Sequence, residues 1–116
     1  MHRDFRLYLD DILGAIERIL EYVRGMDYKT FTGDLKTQDA VIRNLEIIGE
    51  AARHLPGEMT EKAPTIEWVK ITGLRNILTH EYFGVNLAIV WDVVEHKLDP
   101  LAQVCRHLLE EESKKS

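Results

Sequence analysis

The apolar residues of this chain recur at alternating spacings of three and four, which is the period of an amphipathic α-helix. The first such stripe comprises Phe5, Leu9, Ile12, Ile16, Ile19 and Val23. Gly25 is placed to end this helix, because glycine tolerates the left-handed conformation common just past a helix C-terminus. A connector is then expected from Met26 to Lys36, and no segment shows the period of two that is typical of a half-buried β-strand.

Three further helices are predicted from the same pattern. The second is expected to begin near Thr37 as its N-cap and to stop at residues 56–57, a proline followed by a glycine. The third should open at Pro64 with Thr65 as its N-cap, and the fourth should begin with Asn86 as its N-cap. Their apolar stripes are Val41, Leu45, Ile48, Ala52 and Leu55, then Trp68, Ile71, Leu74 and Leu78, then Val90, Trp91, Val94 and Leu98.

The C-terminal part of the chain contains Pro100, which would normally interrupt a helix, yet the apolar spacing continues beyond it without a change of phase. The pattern leaves open a kink at Pro100 or a restart with Asp99 as N-cap. Residues 110–116 are charged and lack apolar anchors, so they are expected to fray. Together the segments predict an all-α protein, an antiparallel bundle of four to five helices that forms a single domain over residues 1–116.

Composition agrees with one globular domain. The chain has 116 residues, of which 45% are apolar and 30% charged, which is enough for one hydrophobic core and too little for two. The formal net charge of −5 argues against binding nucleic acid by bulk electrostatics, so any contact with RNA needs a local basic patch. The same charge would equally suit a protein partner with a basic face.

The sequence disfavours a membrane or secreted protein, and it disfavours a protein with a disulfide or a zinc site. No apolar run approaches the roughly 18–20 residues of a membrane span, and the N-terminus lacks a signal-peptide core, so a cytoplasmic protein without a membrane partner is expected. The single cysteine, Cys105, cannot form an intrachain disulfide, and no second cysteine stands at zinc-ligand spacing. Cys105 lies in an apolar helical stripe, which indicates a buried structural thiol and no metal site.

The third helix has an unusual face opposite its core side. This face carries small or uncharged residues and no Lys or Glu, namely Thr72, Gly73, Asn76, Thr79 and His80. Asn76 and His80 are four apart and therefore neighbours on the helix surface. Such a face is poor solvent surface and suits close approach by another helix, so we expect a two-fold interface there.

Arg75 and His80 are five residues apart, which places them about 140° apart around a straight helix. They cannot contact the same atom within one such helix. Bringing them together requires either a frayed helix end or a symmetric partner. Tyr82 lies two residues beyond His80 and would return to the stripe of Arg75 if the helix persisted that far.

These residues resemble a known motif. Arg75-Asn76-x3-His80 is similar to the Arg-x4-His motif of HEPN domains, and with Tyr82 it resembles the Arg-x4-His-x-Tyr of HepT-type toxins that pair with minimal nucleotidyltransferases. Residues 39–52, which read DAVIRNLEIIGEAA, resemble the second-helix signature of that family. The resemblance covers most of the chain and implies a HEPN-like helical bundle.

For function, the resemblance implies the toxin of a toxin–antitoxin pair. Such a protein is a homodimeric, metal-independent endoribonuclease that cleaves RNA at the dimer interface. Its antitoxin is a nucleotidyltransferase that transfers AMP from ATP onto the motif tyrosine, here Tyr82, and inactivates the toxin. The chain itself would then need no cofactor, because ATP is used by the partner.

The chemistry of the motif residues fits metal-free RNA cleavage. His80 has a side chain that titrates near neutral pH and can act as base or acid. Arg75 offers a permanently charged fork for phosphate oxygens, and Asn76 could fix the orientation of His80. Structural roles remain open for each: Arg75 could pair with Glu46 or Glu50 of the second helix, His80 could interact with the last carbonyls of its helix, and Tyr82 could pack beneath the loop.

Glu46 and Glu50 are themselves open to two interpretations. They are four apart on one helical face, where they could support the motif residues or form an ordinary solvated pair. A second function also remains open for the chain as a whole. It could be a non-catalytic helical module that binds substrate or nucleotide for a partner nucleotidyltransferase, an alternative that the acidic net charge favours.

Overall fold

The computed structural model describes residues 4–80 and 86–115, and for residues 75–80 and 115 it gives the backbone but not the side chains. The described residues form seven α-helices and one π-helical segment and no strand. The α-helices are α1 (Phe5–Tyr22), α2 (Tyr28–Thr32), α3 (Leu35–Arg53), α4 (Gly57–Thr60), α5 (Trp68–His80), α6 (Leu87–Asp92) and α7 (Leu98–Lys115), and the π-helical segment is Val93–Lys97.

The predicted helical bundle is confirmed. Helix α1 packs against α3 and α7, and α3 packs against α5, while α6, the π-helical segment and α7 follow one another without a break. The core draws on all four long helical segments, and its fully buried side chains include Phe31, Leu9, Ile12, Ile16, Leu45, Ile48, Leu98 and Leu101. None of the helices built from described residues is both long and apolar enough to cross a membrane.

The start of α3 differs from the prediction. The N-cap is Asp34 rather than Thr37, because the Asp34 carboxylate accepts the backbone N–H of Thr37 at 3.0 Å. This bond lowers the pKa of Asp34. The preceding connector also contains the short helix α2, which the sequence analysis did not predict. Its N-cap Asp27 accepts the N–H of Thr30 at 2.8 Å, and the buried Gln38 donates to the carbonyl oxygen of Phe31 at 2.9 Å.

The start of α5 also differs from the prediction, since Thr65 is not an N-cap and the helix begins at Trp68. Residues 63–67 form turns instead, in which Ile66 N–H donates to Ala63 O at 3.2 Å. The indole N–H of Trp68 donates to the same carbonyl at 3.0 Å. These bonds occupy the backbone that an earlier helix start would have used. By contrast, the predicted N-cap Asn86 is confirmed, with its side chain accepting the N–H groups of Ala88 and Ile89.

Pro100 lies inside a helix, and the predicted restart with Asp99 as N-cap is not found. Asp99 is not an N-cap, because it belongs to the first turn of α7. The helix instead widens into the π-helical segment Val93–Lys97 immediately before α7. A proline removes a backbone donor and crowds the carbonyl one turn earlier, so a wider turn at that point lets the helix continue.

The C-terminal segment belongs to helix α7, which runs to Lys115. The expected fraying from residue 110 stays a prediction. Two side-chain contacts accompany this last part: His107 to Glu111 at 3.2 Å within the helix, and Lys62 to Glu112 at 4.0 Å across to the loop after α4. The buried position of Cys105 in the same helix is confirmed, and burial raises the pKa of its thiol to about 12.

Candidate functional site

The motif residues Arg75, Asn76 and His80 all belong to the backbone of α5, in its C-terminal half. Their side chains lie outside the described residues, and Tyr82 lies outside them altogether. The helical backbone nevertheless fixes their register. Arg75 and His80 are separated by about 7.5 Å along the axis and about 140° around it. No break in the helix between them brings the two positions together.

The core side of α5 is as predicted wherever its side chains are described. Ile71 and Leu74 are each only 8% exposed, and Trp68 packs against the core as a partly buried residue. The principal neighbour of α5 is α3. In the part of α5 whose side chains are described, the opposite side is open at Val69 and Gly73.

Val69 marks this uncovered side. Its side chain is 86% exposed, the largest exposed fraction among the large hydrophobic residues described. Val69 precedes Gly73 by four residues and Asn76 by seven, so by helical register it begins the same stripe. A Cβ placed on Gly73 would meet no atom within 4 Å, so this side of the helix faces open space. Val69 was not predicted from the sequence to belong to this face, although an apolar residue directly opposite the core stripe was a usable signal.

A groove of about 700 Å³ runs beside this stripe, between α5 on one side and α6, the π-helical segment and the start of α7 on the other. Its lining is mostly apolar and includes Ile71, Leu74, Ile89, Val93 and Pro100. Ile89 is 55% exposed. The groove therefore extends the apolar surface of Val69 across to α6.

Charged residues lie along the rim of this groove. Glu67 pairs with Lys70 at 2.8 Å and approaches Lys97 on the opposite wall at 3.9 Å. The hydrogen bond from Lys70 lowers the pKa of Glu67. The Oδ1 atom of Asp92 lies 3.0 Å from Nδ1 of His96, on the same wall of the groove as Lys97. The rim is thus of mixed charge, with each described carboxylate already engaged by a cation or a histidine.

Glu46 and Glu50 lie on α3, the helix against which α5 packs, and both are half-buried. Contacts of Glu50 include Arg53 Nη1 at 3.4 Å and His54 Nε2 at 3.3 Å. The ring of His54 also stacks on Tyr8 at a centroid distance of 4.8 Å. Glu50 therefore takes part in a local cluster at the C-terminal end of α3. The possible pairing of Arg75 with Glu46 or Glu50 lies outside the described residues, because the side chain of Arg75 is not among them.

Residues 39–52, the segment that resembles a family signature, form the middle of α3. Asn44 in this segment is 4% exposed, accepts a hydrogen bond from Arg18 Nε at 2.8 Å and donates to Ala40 O at 2.9 Å. Gly49 is buried in the same helix. Asn44 and Gly49 of this segment therefore have packing roles. Among the described residues, no three His, Cys, Asp or Glu side chains are grouped so that they could hold a metal ion.

Comparison with known proteins gives a consistent family. The family model described as "Ribonuclease HepT-like" matches residues 12–108. The "Probable ribonuclease HepT" of Thermococcus cleftensis is 42% identical over 101 residues, covering 87% of this chain and 92% of that protein. A protein of Methanocaldococcus jannaschii that carries an RNase name is 43% identical over 96 residues, covering 83% of this chain and 79% of that protein.

Two solved structures have the same fold. A tri-AMPylated Shewanella oneidensis HEPN toxin in complex with its MNT antitoxin is 30% identical, with a TM-score of 0.68 over 95% of this chain and 99% of that one. A toxin–antitoxin structure with AMP-PNP is 28% identical, with a TM-score of 0.69 over 94% of this chain and 99% of that one. The match of sequence and fold extends over nearly the whole chain, which therefore belongs to the ribonuclease HepT-like family of HEPN-fold proteins.

Proposed function

We propose that this protein is the toxin of a toxin–antitoxin pair and cleaves RNA at a site that two copies of the chain build together. The observation that carries the proposal is the exposed Val69 at the start of the stripe on α5. The stripe begins at Val69, which is 86% exposed, and continues through the register positions of Gly73, Asn76 and His80. By helical register, Asn76 and His80 share the side of α5 that begins at the exposed Val69, whereas Arg75 lies about 140° from His80.

A two-fold partner would account for the exposed Val69 beside the apolar groove and for the open space around Gly73. An exposed valine next to an apolar groove gains free energy when another surface covers it. Gly73 at the centre of the stripe has open space around it, which permits close approach of a second helix. Arg75 and His80 of one helix cannot grip the same atom, whereas a symmetric pair of α5 helices would supply two arginines and two histidines to one cleft.

The proposed reaction is an internal transesterification of RNA. One His80 removes the proton of the 2′-hydroxyl, whose oxygen attacks the adjacent phosphorus. The bond from phosphorus to the 5′-oxygen breaks, and the second His80 of the dimer donates a proton to that leaving oxygen. Arg75 stabilises the charge on the phosphoryl oxygens, and Asn76 orients His80. The products are a 2′,3′-cyclic phosphate and a 5′-hydroxyl, with no metal ion required.

The proposed control is AMPylation of Tyr82 by a minimal nucleotidyltransferase antitoxin. The Tyr82 oxygen attacks the α-phosphorus of ATP, AMP is transferred, and pyrophosphate leaves. The AMPylated state of the Shewanella oneidensis toxin in complex with its antitoxin supports this proposal. An attached AMP adds about one negative charge and a bulky nucleoside two residues from His80, which would repel and obstruct an RNA strand.

The test is incubation of the purified protein with defined RNAs in EDTA, with Arg75→Ala and His80→Ala in parallel. We expect cleavage by the wild type and a loss of at least about 100-fold in each variant, since acid–base catalysis by His80 and stabilisation of transition-state charge by Arg75 each typically contribute about 100-fold or more. Light scattering must show that the variants have the same mass as the wild type. If the wild type cuts no RNA, or the variants cut equally well, the chain is better described as a non-catalytic module for its nucleotidyltransferase.

A further inference from the structure

The groove beside α5 lies where the bundle is left open. Helix α1 packs against α3 and α7, and α3 packs against α5, so these four helices form a row with α7 and α5 at its two ends. In a closed four-helix bundle the end helices would also pack against each other. Here the groove of about 700 Å³ lies in that place, with α5 as one wall and α6, the π-helical segment and the start of α7 as the other.

Both walls of the groove present apolar side chains to solvent. Val69 is 86% exposed on the α5 wall, and Ile89 is 55% exposed on the opposite wall. Val93 follows Ile89 by four residues and lines the same wall, as does Pro100. This wall includes the π-helical turn that accommodates the proline, and π-helical turns frequently occur at functional sites. The groove is therefore an apolar depression directly beside a projecting apolar side chain.

The charged side chains that line the groove balance each other. Two carboxylates are matched by two lysines, namely Glu67, Asp92, Lys70 and Lys97. The chain as a whole, by contrast, has a formal charge of −5. Two copies of an acidic protein repel each other where their negative surfaces meet, so they approach most easily through a patch without net charge. The same neutrality gives an RNA strand no net attraction to the groove.

The total surface of the chain is large enough to include an interface. The chain exposes 7450 Å², whereas a compact monomer of 13.5 kDa is expected to expose roughly 6,500 Å². The difference of roughly 900 Å² is close to the area of about 800 Å² that each partner buries in an interface of standard size. A second copy of the chain is thus an occupant of suitable size as well as suitable charge.

We propose that helix α5 of a second copy fills the groove, so that Val69 of each protomer packs between Ile89 and Val93 of the other. A groove between two helices accepts the side-chain ridge of a third helix. The contact is reciprocal under two-fold symmetry, because each copy carries both the projecting valine and the groove. The proposal rests on the dimer of the function proposed above and adds the wall formed by α6 and the π-helical segment to its interface. Since the motif is on α5, this docking also sets the relative position of the two motifs.

The first test detects the contact without RNA. Val69→Cys and Ile89→Cys are purified separately, one with a tag that changes its mass, then mixed to exchange subunits and oxidised with copper phenanthroline. We expect a disulfide-linked mixed dimer on a non-reducing gel, since the native Cys105 is 0% exposed and cannot react. The control is Leu7→Cys mixed with Ile89→Cys, because Leu7 is 44% exposed but does not line the groove. It should give no mixed dimer.

The second test measures the contribution of the α6 wall to affinity. Ile89→Glu should raise the dissociation constant of the dimer at least about tenfold, because it places an unpaired charge against an apolar partner surface. Ile89→Leu should dimerise like the wild type, since the site stays apolar, and Leu7→Glu should leave the dissociation constant unchanged. Sedimentation equilibrium measures the constants, and circular dichroism establishes that each variant is folded.

Three outcomes would overturn the proposed docking. The first is a yield of mixed dimer from Val69→Cys and Ile89→Cys no higher than in the Leu7→Cys control. The second is a dissociation constant of Ile89→Glu equal to that of the wild type. The third is a monomeric wild type in which Ile89→Glu weakens binding of the antitoxin, because the groove then docks the antitoxin instead. A wild type that cuts no RNA defeats only the ribonuclease proposal, since neither test involves RNA.

Discussion

Arg18 of α1 donates a 2.8 Å hydrogen bond from Nε to the Oδ1 atom of Asn44, a side chain of α3 that is only 4% exposed. This bond joins the two helices across their packed faces. Because Asn44 also donates to Ala40 O, it satisfies both of its polar ends inside the bundle. Its place in the family-like segment 39–52 is therefore explained by packing rather than by catalysis.

The first prediction concerns this bond. Asn44→Ala should lower the free energy of unfolding by about 1–3 kcal/mol, because it leaves Arg18 without its partner and opens a small cavity. Urea denaturation followed by circular dichroism measures the change. Arg43→Ala serves as the control, since Arg43 is the exposed neighbour of Asn44 on α3. Equal stability of Asn44→Ala and wild type would show that the bond contributes nothing to folding.

The second prediction tests the N-cap of α3 and its dependence on pH. The hydrogen bond from Thr37 lowers the folded-state pKa of Asp34 below its usual value. The stabilisation is therefore present above the ordinary pKa of about 3.9 and is lost as the pH falls through the folded value. Asp34→Ala should lower the urea midpoint at pH 7, and its difference from wild type should shrink in strong acid. A Thr37→Ala control tests the rejected N-cap and should have the smaller effect at pH 7.

The third prediction concerns the stripe on α5. Val69→Glu should convert the proposed dimer into a monomer without unfolding it, since Val69 is 86% exposed within one chain and a charge there is harmful only in an interface. Light scattering at micromolar concentration reports the mass. The control is Leu35→Glu, because Leu35 is also well exposed, at 70%, but lies at the start of α3. If Val69→Glu keeps the mass of a dimer, the interface lies elsewhere.

The fourth prediction concerns regulation. Tyr82→Phe should keep its ribonuclease activity but escape inactivation by the antitoxin and ATP, because it lacks the hydroxyl that would accept AMP. Intact-mass spectrometry after incubation should show added AMP on the wild type and much less on Tyr82→Phe. Tyr22→Phe should be labelled as the wild type is. Equal labelling of Tyr82→Phe would place the modification on another residue.

Much of the fold follows from local patterns in the sequence. The apolar stripes placed the long helices correctly, and the side of α5 that carries Ile71 and Leu74 is buried as predicted. Asn86 caps α6 and Cys105 is buried, again as predicted. These features depend on the period of the helix and on residues within one turn of each other, so the sequence alone contains them. The motif on α5 was identified by its resemblance to the Arg-x4-His motif of HEPN domains.

Other features were decided only by the tertiary structure. Asp34 and Thr37 are both good N-caps, and local chemistry does not choose between them; the fold does so by packing α2 against the start of α3. At Pro100 the chain could have restarted with Asp99 as N-cap, but a continuous helix with a π-helical turn keeps both Val94 and Leu98 in the core. Here the gain from burying apolar side chains outweighs the backbone preference.

The exposed side of α5 most clearly separates what the sequence predicts from what the tertiary structure decides. Sequence analysis predicted that residues 72–80 include a face suited to another helix, but it did not single out Val69 or Ile89. Helical period determines which residues share a side, whereas exposure depends on which other elements cover that side. In this bundle α5 packs chiefly against α3, and only that arrangement leaves Val69 and the neighbouring apolar groove open.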